Sequence, residues 1–388
     1  MIFVAFSLLT AFGLGIYYLQ VAAVRSCISQ PNLEAGLYEP PVSILKPLKG
    51  MDDSLFENLE SFCQQDYPEY EIIFALRSFD DPAYRVALRI KEQFPARDIS
   101  IVAEWCGEGL NPKVDTLVPA YRASKHGFVL ISDSNVRVEK EYLKEIVKHM
   151  QDPEVGLVSN LIRGVGSGSL GSALENLHLN TFVVGGVCFL DRFMKTPCVV
   201  GKSMFIRREH LEKLGGFGEV KDHLAEDYIF GRKMKQLGKK VVLSNHIINT
   251  VNESWHVRQF LARHIRWGKL RRQIGGAAYL LELLGNPVVM SLVPLFLLGI
   301  SSMTLFLPLA AFSLKAAGDY FMGRLIKAGA NPVLYLLSPL KDVLIGMAWF
   351  VPVFSNKVEW RGDRYIIGKD SFLSPIASSS TVQTLHTT

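Results

Sequence analysis

Phe-Val-Leu-Ile-Ser-Asp-Ser-Asn, residues Phe128–Asn135, couples a short apolar run to a carboxylate, Asp133, followed by turn residues. A run of this length bounded by turn chemistry predicts a buried strand over Phe128–Ser132. Asp133 is then held at the strand's carboxyl end, where an open α/β sheet collects its ligands. The same reading repeats upstream. Val42–Leu45 predicts a first strand, followed by Lys46 and Lys49; Tyr70–Leu76 predicts a second, followed by Asp80-Asp81; Ile99–Ala103 predicts a third, followed by Asn111-Pro112-Lys113. Helical patterns over Leu55–Gln65 and Pro82–Phe94, and a helix opened by Pro112, separate them. Alternation of this kind implies a mostly parallel sheet covered by helices.

Downstream, Val155–Ser159 and Ser203–Ile206 read as later strands, and Leu224–Leu237 as a helix with Glu226-Asp227 in its first turn. Trp255–Ile274 is helical and basic, and carries Arg263, Arg266 and Trp267. Gly166 to Gly171 matches GxGxxG, with Asp191 twenty residues on. The dinucleotide fingerprint belongs in the first βα turn of its unit, whereas this match follows several strands, so it reads as a loop.

Each acidic position has a structural reading beside a chemical one. Asp133 suits a turn or a helix cap, and equally a Mg²⁺ or Mn²⁺ ion shared with substrate phosphates. Asp81 suits the N-cap of the next helix, or an acceptor for a nucleoside. Lys113 can reach a phosphate, as can Lys46 and Lys49. Acids at a helix start are favoured by its dipole, yet Asp227 also fits a general base beside an acceptor hydroxyl. Arg263 and Arg266, three apart on one face, suit a clamp on a leaving diphosphate. Trp267 offers an amphipathic plane at the lipid interface or at the acceptor mouth. His223 reads as a satisfied structural histidine. Together these groups make up the parts of a nucleotide-sugar transferase.

The ends place that chemistry at a membrane. Met1–Val24 is apolar and long enough to span a bilayer; without a basic n-region or a cleavage site it reads as an uncleaved anchor, and Arg25 puts the following domain on the cytoplasmic side. Tyr279–Leu314, broken by three prolines, suits a tight pair of helices, and Asn331–Phe354 a further helix in which Lys341-Asp342 marks a buried kink or a surface-lying segment. Lys315–Lys327 reads as an interfacial helix, and Ser374–Thr388 as a disordered tail. Two to four C-terminal spans are allowed, an even number returning the tail to the catalytic side. A net charge of +5, with basic residues crowded over Arg258–Arg272, suits anionic headgroups or a diphosphate and not nucleic acid. Five cysteines without a CxxC indicate a reducing compartment and no zinc site.

VSILKPLKG, NLESFCQQDYPEYEI, DDPA, NPK, DSNVRV, EVGLV, LAEDY and RHIRW, in this order between Pro41 and Arg272, resemble the ceramide glucosyltransferase family of membrane GT-A glycosyltransferases. The resemblance implies a GT-A type, Rossmann-like mixed sheet flanked by helices, with N-terminal and C-terminal transmembrane helices. It implies an enzyme that moves glucose from UDP-glucose to the hydroxyl of a ceramide-like lipid by inverting single displacement, assisted by a divalent cation, Mg²⁺ or Mn²⁺. Asp81, Asp133 and Asp227 match the family's three acidic positions, and Arg263, Arg266 and Trp267 its [Q/R]xxRW signature. By the same resemblance Asp227, Arg263, Arg266 and Trp267 are expected to be catalytic. Asp81, Lys113, Asp133 and Glu226 are expected to bind the nucleotide sugar, with Asp133 on the metal. Cys198 in TPCVVGKS is expected to line the site without chemical duty. Bacterial enzymes that put N-acetylglucosamine on hopanoid lipids are similar too, but often carry Asp-x-Asp where this chain has Asn135. Processive polysaccharide synthases share the acids and a related motif; the few C-terminal spans argue against a translocation channel. A lipid-binding scaffold should have lost one of the acidic groups, and none is missing. The expected division is an anchor at 1–25, a catalytic domain at 40–254, a basic interfacial helix at 255–278, a transmembrane or interfacial region at 279–356 and a cytoplasmic tail at 357–388. A bacterial source implies the inner membrane; a eukaryotic one the Golgi or endoplasmic reticulum.

Overall fold

A computed structural model describes residues 1–31, 38–166, 168–196, 198–360 and 363–376. Arg361 and Gly362, and most of the serine- and threonine-rich end, lie outside the described residues.

Eight strands form the main sheet: β1 Val42–Pro47, β2 Tyr70–Leu76, β3 Asp98–Ala103, β4 Phe128–Ser132, β5 Val136–Arg137, β6 Val155–Val165, β7 Ser203–Arg207 and β8 Lys240–Val251. Their order across the sheet is β3-β2-β1-β4-β7-β6-β8-β5. β3, β2, β1 and β4 are mutually parallel. β7 runs antiparallel to both β4 and β6, and β8 pairs parallel with β6. This is the expected mixed sheet. Every residue of β2 and β4 is buried, because helices cover both faces and the strands read as continuous apolar runs. One layer of the core packs Leu59, Phe62 and Ile146 against Ile44, Ile72 and Phe205. The other packs Val114, Leu117 and Phe230 against Leu45, Ile73 and Met204.

The topology decides which loops meet. β1, β2, β3 and β4 end on one edge, and antiparallel β7 starts there, with Ser132 opposite Ser203. β6 and β8 end on the same edge, so the segments after them converge on it as well.

Helix Ile2–Ile28 and helix Pro332–Phe354, which is 3₁₀ over its first residues, are each long and apolar enough to cross a membrane. Only 17% and 33% of their apolar windows are buried, which leaves faces such as Leu8, Phe12, Met347 and Phe350 for lipid. Leu170–Arg192 passes the same length and composition test but is 72% buried, wedged between sheet and bundle. Pro287–Leu298 turns by 76° from the short helix before it, a broken pair as the prolines suggest.

Two expectations for this end are corrected. Lys315–Lys327 is not an interfacial helix: its residues through Leu325 continue the helix Ser302–Leu325, and Lys315 and Asp319 are buried inside the bundle. Lys341 and Asp342 are buried there too, as one of their two readings had it, but within a regular helix and without a kink. The polar side chains turn inward because only there do they find partners. A small antiparallel sheet follows, made of β9 Lys357–Trp360, β10 Asp363–Ile367 and β11 Leu373–Pro375. It is docked on the catalytic domain: Leu373 N donates to Asp222 O at 2.7 Å and Leu224 N to Ser371 O at 2.9 Å. The tail therefore lies on the same side as the sheet's ligand edge.

Candidate active site

Asp133 leaves β4 at the centre of this edge. Its Oδ1 lies 2.8 Å from Lys113 Nζ and its Oδ2 2.9 Å from Lys202 Nζ. Asn111 caps the helix Pro112–Ala123 by accepting from Lys113 N and Val114 N at 2.9 and 3.2 Å, which aims the Lys113 side chain across the edge. Lys113 also reaches Glu226 Oε1 at 2.7 Å and donates to Gly201 O at 3.1 Å. Burial alone would lower the Lys113 pKa, but the Asp133 and Glu226 carboxylates hold it above the ordinary value. Burial likewise opposes ionisation of Asp133, and the two lysines override it and hold the carboxyl well below its usual range.

Asp227 opens the helix Glu226–Gln236. Its Oδ2 accepts from Gly201 N at 2.9 Å and its Oδ1 from Tyr228 N at 2.8 Å. A Cβ on Gly201 would stand 2.8 Å from Asp227 Oδ2, so the approach requires glycine. Burial first, then the neighbouring Glu226 carboxylate, raises the Asp227 pKa to about 6; Lys113 and the two amides pull the other way. A carboxylate with that pKa is ionised at neutral pH and basic enough to take a proton. We expect activity to rise with pH through about 6, and Asp227→Asn to remove that limb from any residual rate. The stability contribution has the opposite sign. Between the ordinary 3.8 and about 6 the folded state binds the extra proton, so this group's contribution falls as pH rises across that window. A rate profile flat from pH 5 to 8 would remove Asp227 from the proton transfer.

The remaining expected residues divide. Asp81 closes a turn: Oδ1 accepts from Gly50 N and Ala83 N, both at 2.9 Å. Gly50 has φ of +66°, which a side chain would strain. Asp81 thereby ties the loop after β1 to the start of the helix Ala83–Gln93, and its capping reading holds. Lys46 does not point at a phosphate site. It is fully buried, donates to Asp133 O at 2.6 Å and lies 3.7 Å from the centroid of the Phe62 ring, so it braces the turn that carries Asp133. His223 Nδ1 bonds Asp370 O at 2.9 Å, a structural contact to the C-terminal sheet. Cys198 lies near Asp227, and burial with that carboxylate pushes its thiol up to about 12. Such a thiol is inert at neutral pH. Gly166–Gly171 is no nucleotide loop. Gly171 packs on the Trp255 backbone, and Ser169 caps the helix Leu170–His178; Ser167 lies outside the described residues.

Arg263 departs from the clamp expectation. Its Nη1 lies 3.0 Å from Glu175 Oε1, and its guanidinium stacks 5.1 Å from the Trp255 ring and 4.6 Å from the Trp267 ring. His264 Nε2 donates to Glu175 Oε2 at 2.8 Å. Burial keeps the His264 imidazole below its ordinary pKa although Glu175 pulls it up. Trp267 packs on the sheet's core cluster and is not a lipid-interface plane. Arg266 is half-buried one turn further along the same helix, Val257–Gly275.

Two residues were missed. Lys202 sits in Gly-Lys-Ser just before β7, and only the antiparallel register carries it to Asp133, where it also donates to Asn135 Oδ1 at 2.6 Å. Glu175 is fully buried in a helix with no motif of its own; an acid amid apolar helical residues was its one signal. Among the described residues no cluster of three or more His, Cys, Asp or Glu is placed to hold a metal. The edge still offers the Asp133 carboxylate and Asn135 Oδ1, hard oxygens of the kind Mg²⁺ or Mn²⁺ takes. Here Lys113 and Lys202 take both Asp133 oxygens and Lys202 takes Asn135 Oδ1, so a cation would use these atoms only in exchange for the lysines.

Comparison with known proteins bears on the fold and the family. A mannosyltransferase from Pyrobaculum calidifontis, solved with GDP-Man and Mn²⁺, superposes over 90% of this chain and 99% of its own, with a TM-score of 0.54 at 18% identity. Ceramide glucosyltransferase 3 of Caenorhabditis elegans is 33% identical over 233 residues, 60% of this chain and 50% of the relative. Ceramide glucosyltransferase 1 of the same organism is 31% identical over 238 residues, with the same coverage. The chain thus spans about half the length of these relatives. The model of glycosyl transferase family 21 matches residues 5–372, nearly the whole chain with both membrane ends, and the chain belongs to that family.

Proposed function

We propose that the protein is an inverting, UDP-sugar-dependent glycosyltransferase that moves glucose from UDP-glucose to the hydroxyl of a ceramide-like membrane lipid. The reading is carried by Asp227, a carboxylate raised to about 6 at the sheet edge, beside Glu226 and the lysines that hold Asp133. Its relatives' names support glucose and ceramide, and the apolar helices support a lipid acceptor. The catalytic side is the cytoplasmic one in this reading, since UDP-sugars are the donors. The division into anchor, catalytic domain, basic helix and membrane region belongs to it as well.

The donor diphosphate lies across the edge above Asp133. Lys113 and Lys202 face it as fixed cations, and Glu226 keeps Lys113 oriented. Once these lysines turn to the phosphates, Asp133 with Asn135 would hold a divalent cation, which supplies positive charge to the departing diphosphate. Asp227 takes the proton of the lipid hydroxyl as its oxygen bonds to the anomeric carbon. The bond to the diphosphate breaks, its electron pair leaves with UDP, and the product is a β-glycoside. Arg266 is assigned to the leaving group. Arg263 and Trp267 hold the helix in place through Glu175. Asp81 positions the loop that covers the nucleoside.

A transfer assay in detergent tests the reading, offering labelled UDP-glucose and UDP-N-acetylglucosamine against ceramide and a hopanoid polyol. Glucose on ceramide is the expected product. N-acetylglucosamine on the hopanoid would keep the enzyme class and replace both substrates. No transfer to any lipid would overturn the acceptor class.

A single protein carboxylate also predicts that the cation is held jointly with the donor. Mn²⁺ binding followed by electron paramagnetic resonance should tighten at least about tenfold when UDP is added. Equal affinity with and without UDP would argue for a separate all-protein site.

A further inference from the structure

Lys-Asp-Ser-Phe-Leu, residues 369–373, joins β10 to β11 through a turn that two side-chain-bearing residues make in succession. Asp370 has φ of +54° and Ser371 φ of +66°, both in the left-handed region. Residues other than glycine enter it at a cost, and persist there where the surroundings over-determine them. Gly368 N donates to Phe372 O at 2.7 Å and Phe372 N to Lys369 O at 3.1 Å, which closes the turn on itself. The other contacts that hold it all fall on one stretch of the catalytic domain.

That stretch runs from Asp222 to Ala225 and leads directly into Glu226 and Asp227. Leu373 N meets Asp222 O, the His223 imidazole meets Asp370 O, and Leu224 N meets Ser371 O. Ala225 takes the N-cap position of the helix Glu226–Gln236 and has no side-chain oxygen to offer. Its own N–H donates to Ser371 Oγ at 3.2 Å, and Ser371 is fully buried. One turn into the same helix, Arg232 Nη1 donates to Asp370 Oδ1 at 2.7 Å. The Phe372 ring stands edge-on to His223, with centroids 5.5 Å apart, and Leu373 shares an apolar cluster with Leu224 and Leu110.

The segment after β3 grips this stretch from its other side. Asn111 N donates to Lys221 O at 2.7 Å, Asn111 Nδ2 to His223 O at 2.6 Å, and Leu110 N to Asp222 Oδ1 at 3.0 Å. Asn111 is the residue that caps the helix of Lys113. The loop before Asp227 is therefore clamped between the Lys113 helix and the turn at 369–373. The turn itself arrives from the membrane: β9 begins just past the last long apolar helix, and Lys357 O accepts from Lys269 Nζ on the helix Val257–Gly275.

We propose that Lys369–Leu373 is a positioning strap for Asp227, with Ser371 and Asp370 fixing the loop from which the base projects, so that the active site is complete only when the chain beyond the last membrane helix has docked. The inference rests on the transferase reading above, and one of its measurements needs no turnover.

Ser371→Gly in the full-length protein removes the hydroxyl and suits the left-handed backbone. The kcat for sugar transfer should fall about tenfold, with the UDP-glucose KM and UDP affinity within about twofold. Asp370→Gly, which keeps the turn and frees Arg232, should lower kcat about threefold in the same pattern. In the Asp227→Asn background Ser371→Gly should change the residual rate less than about twofold, because the strap acts through the group already lost. Hydrogen–deuterium exchange should quicken over residues 224–230 in both strap variants, which reports the clamp without chemistry. An unchanged kcat in Ser371→Gly, an equal fall in UDP affinity, or a further tenfold loss in the Asp227→Asn background would overturn the positioning role. Unchanged exchange over 224–230 would overturn the clamp itself. Quickened exchange there, in a protein that transfers no sugar, would support the clamp and sink the transferase reading alone.

Discussion

Asp227→Asn is expected to lower the rate of sugar transfer roughly 10³-fold, within the range a positioned general base contributes. The substitution keeps the shape of the side chain and an acceptor for Gly201 N, so the start of the helix Glu226–Gln236 stays in place. It removes the group proposed to take the proton. UDP binding, measured by calorimetry, should change less than about twofold, because Lys113, Lys202 and Asp133 are untouched. Equal losses in nucleotide affinity and turnover would mean that Asp227 holds the donor and that another group takes the proton. The same substitution in the pH series removes the limb near 6, so two independent readouts bear on one residue.

Glu175→Ala is the second large effect, and it acts on stability before chemistry. The Glu175 side chain is fully buried and faces Arg263 and His264 at 3.0 and 2.8 Å. Deleting it leaves a guanidinium in a site with 10% of its side chain exposed and no carboxylate opposite. Removing one partner of a buried pair costs about 3–5 kcal/mol, since the remaining charge stays desolvated. Thermal unfolding in detergent should drop clearly, and transfer should fall with it because the helix Val257–Gly275 loses its anchor. The double variant Glu175→Leu, Arg263→Met separates the two effects. It removes both charges, so it should recover most of the stability and little of the activity if Arg263 has a part in positioning the site. Full recovery of both would make the pair a structural tie only. An unchanged melting point in Glu175→Ala would mean that water reaches the guanidinium.

Lys202 and Glu175 show why part of the candidate site was not legible. The strand-end acids were readable because each follows its own strand: Asp133 after Phe128–Ser132 and Asp81 after Tyr70–Leu76 are local patterns. Lys202 precedes a strand, and its place beside Asp133 depends on β7 running antiparallel to β4, a fact of pairing that no local window contains. Arg263 and Arg266 could be put on one helix face, but which charge each would meet depended on Glu175, about ninety positions away. In the bundle the sequence pattern failed for a related reason. Lys315, Asp319, Lys341 and Asp342 lower the apolar score of their segments and mimic an interfacial helix, until each is seen to neutralise the others in the interior.

Apolar periodicity and turn chemistry by themselves determined the alternating order of strands and helices and the edge on which the acids stand, while the reaction class came from the resemblance of the ordered motifs. The first two are properties of short windows, where burial of a strand or helix face outweighs everything else. Tertiary structure alone decided the two lysines on Asp133, the burial and raised pKa of Asp227, the capture of Arg263 by Glu175 and the docking of the small C-terminal sheet on the catalytic domain. Each depends on groups distant in sequence meeting in a space of low polarity, where charge and desolvation act over a few ångströms and the chain's order carries no record of who the neighbours are.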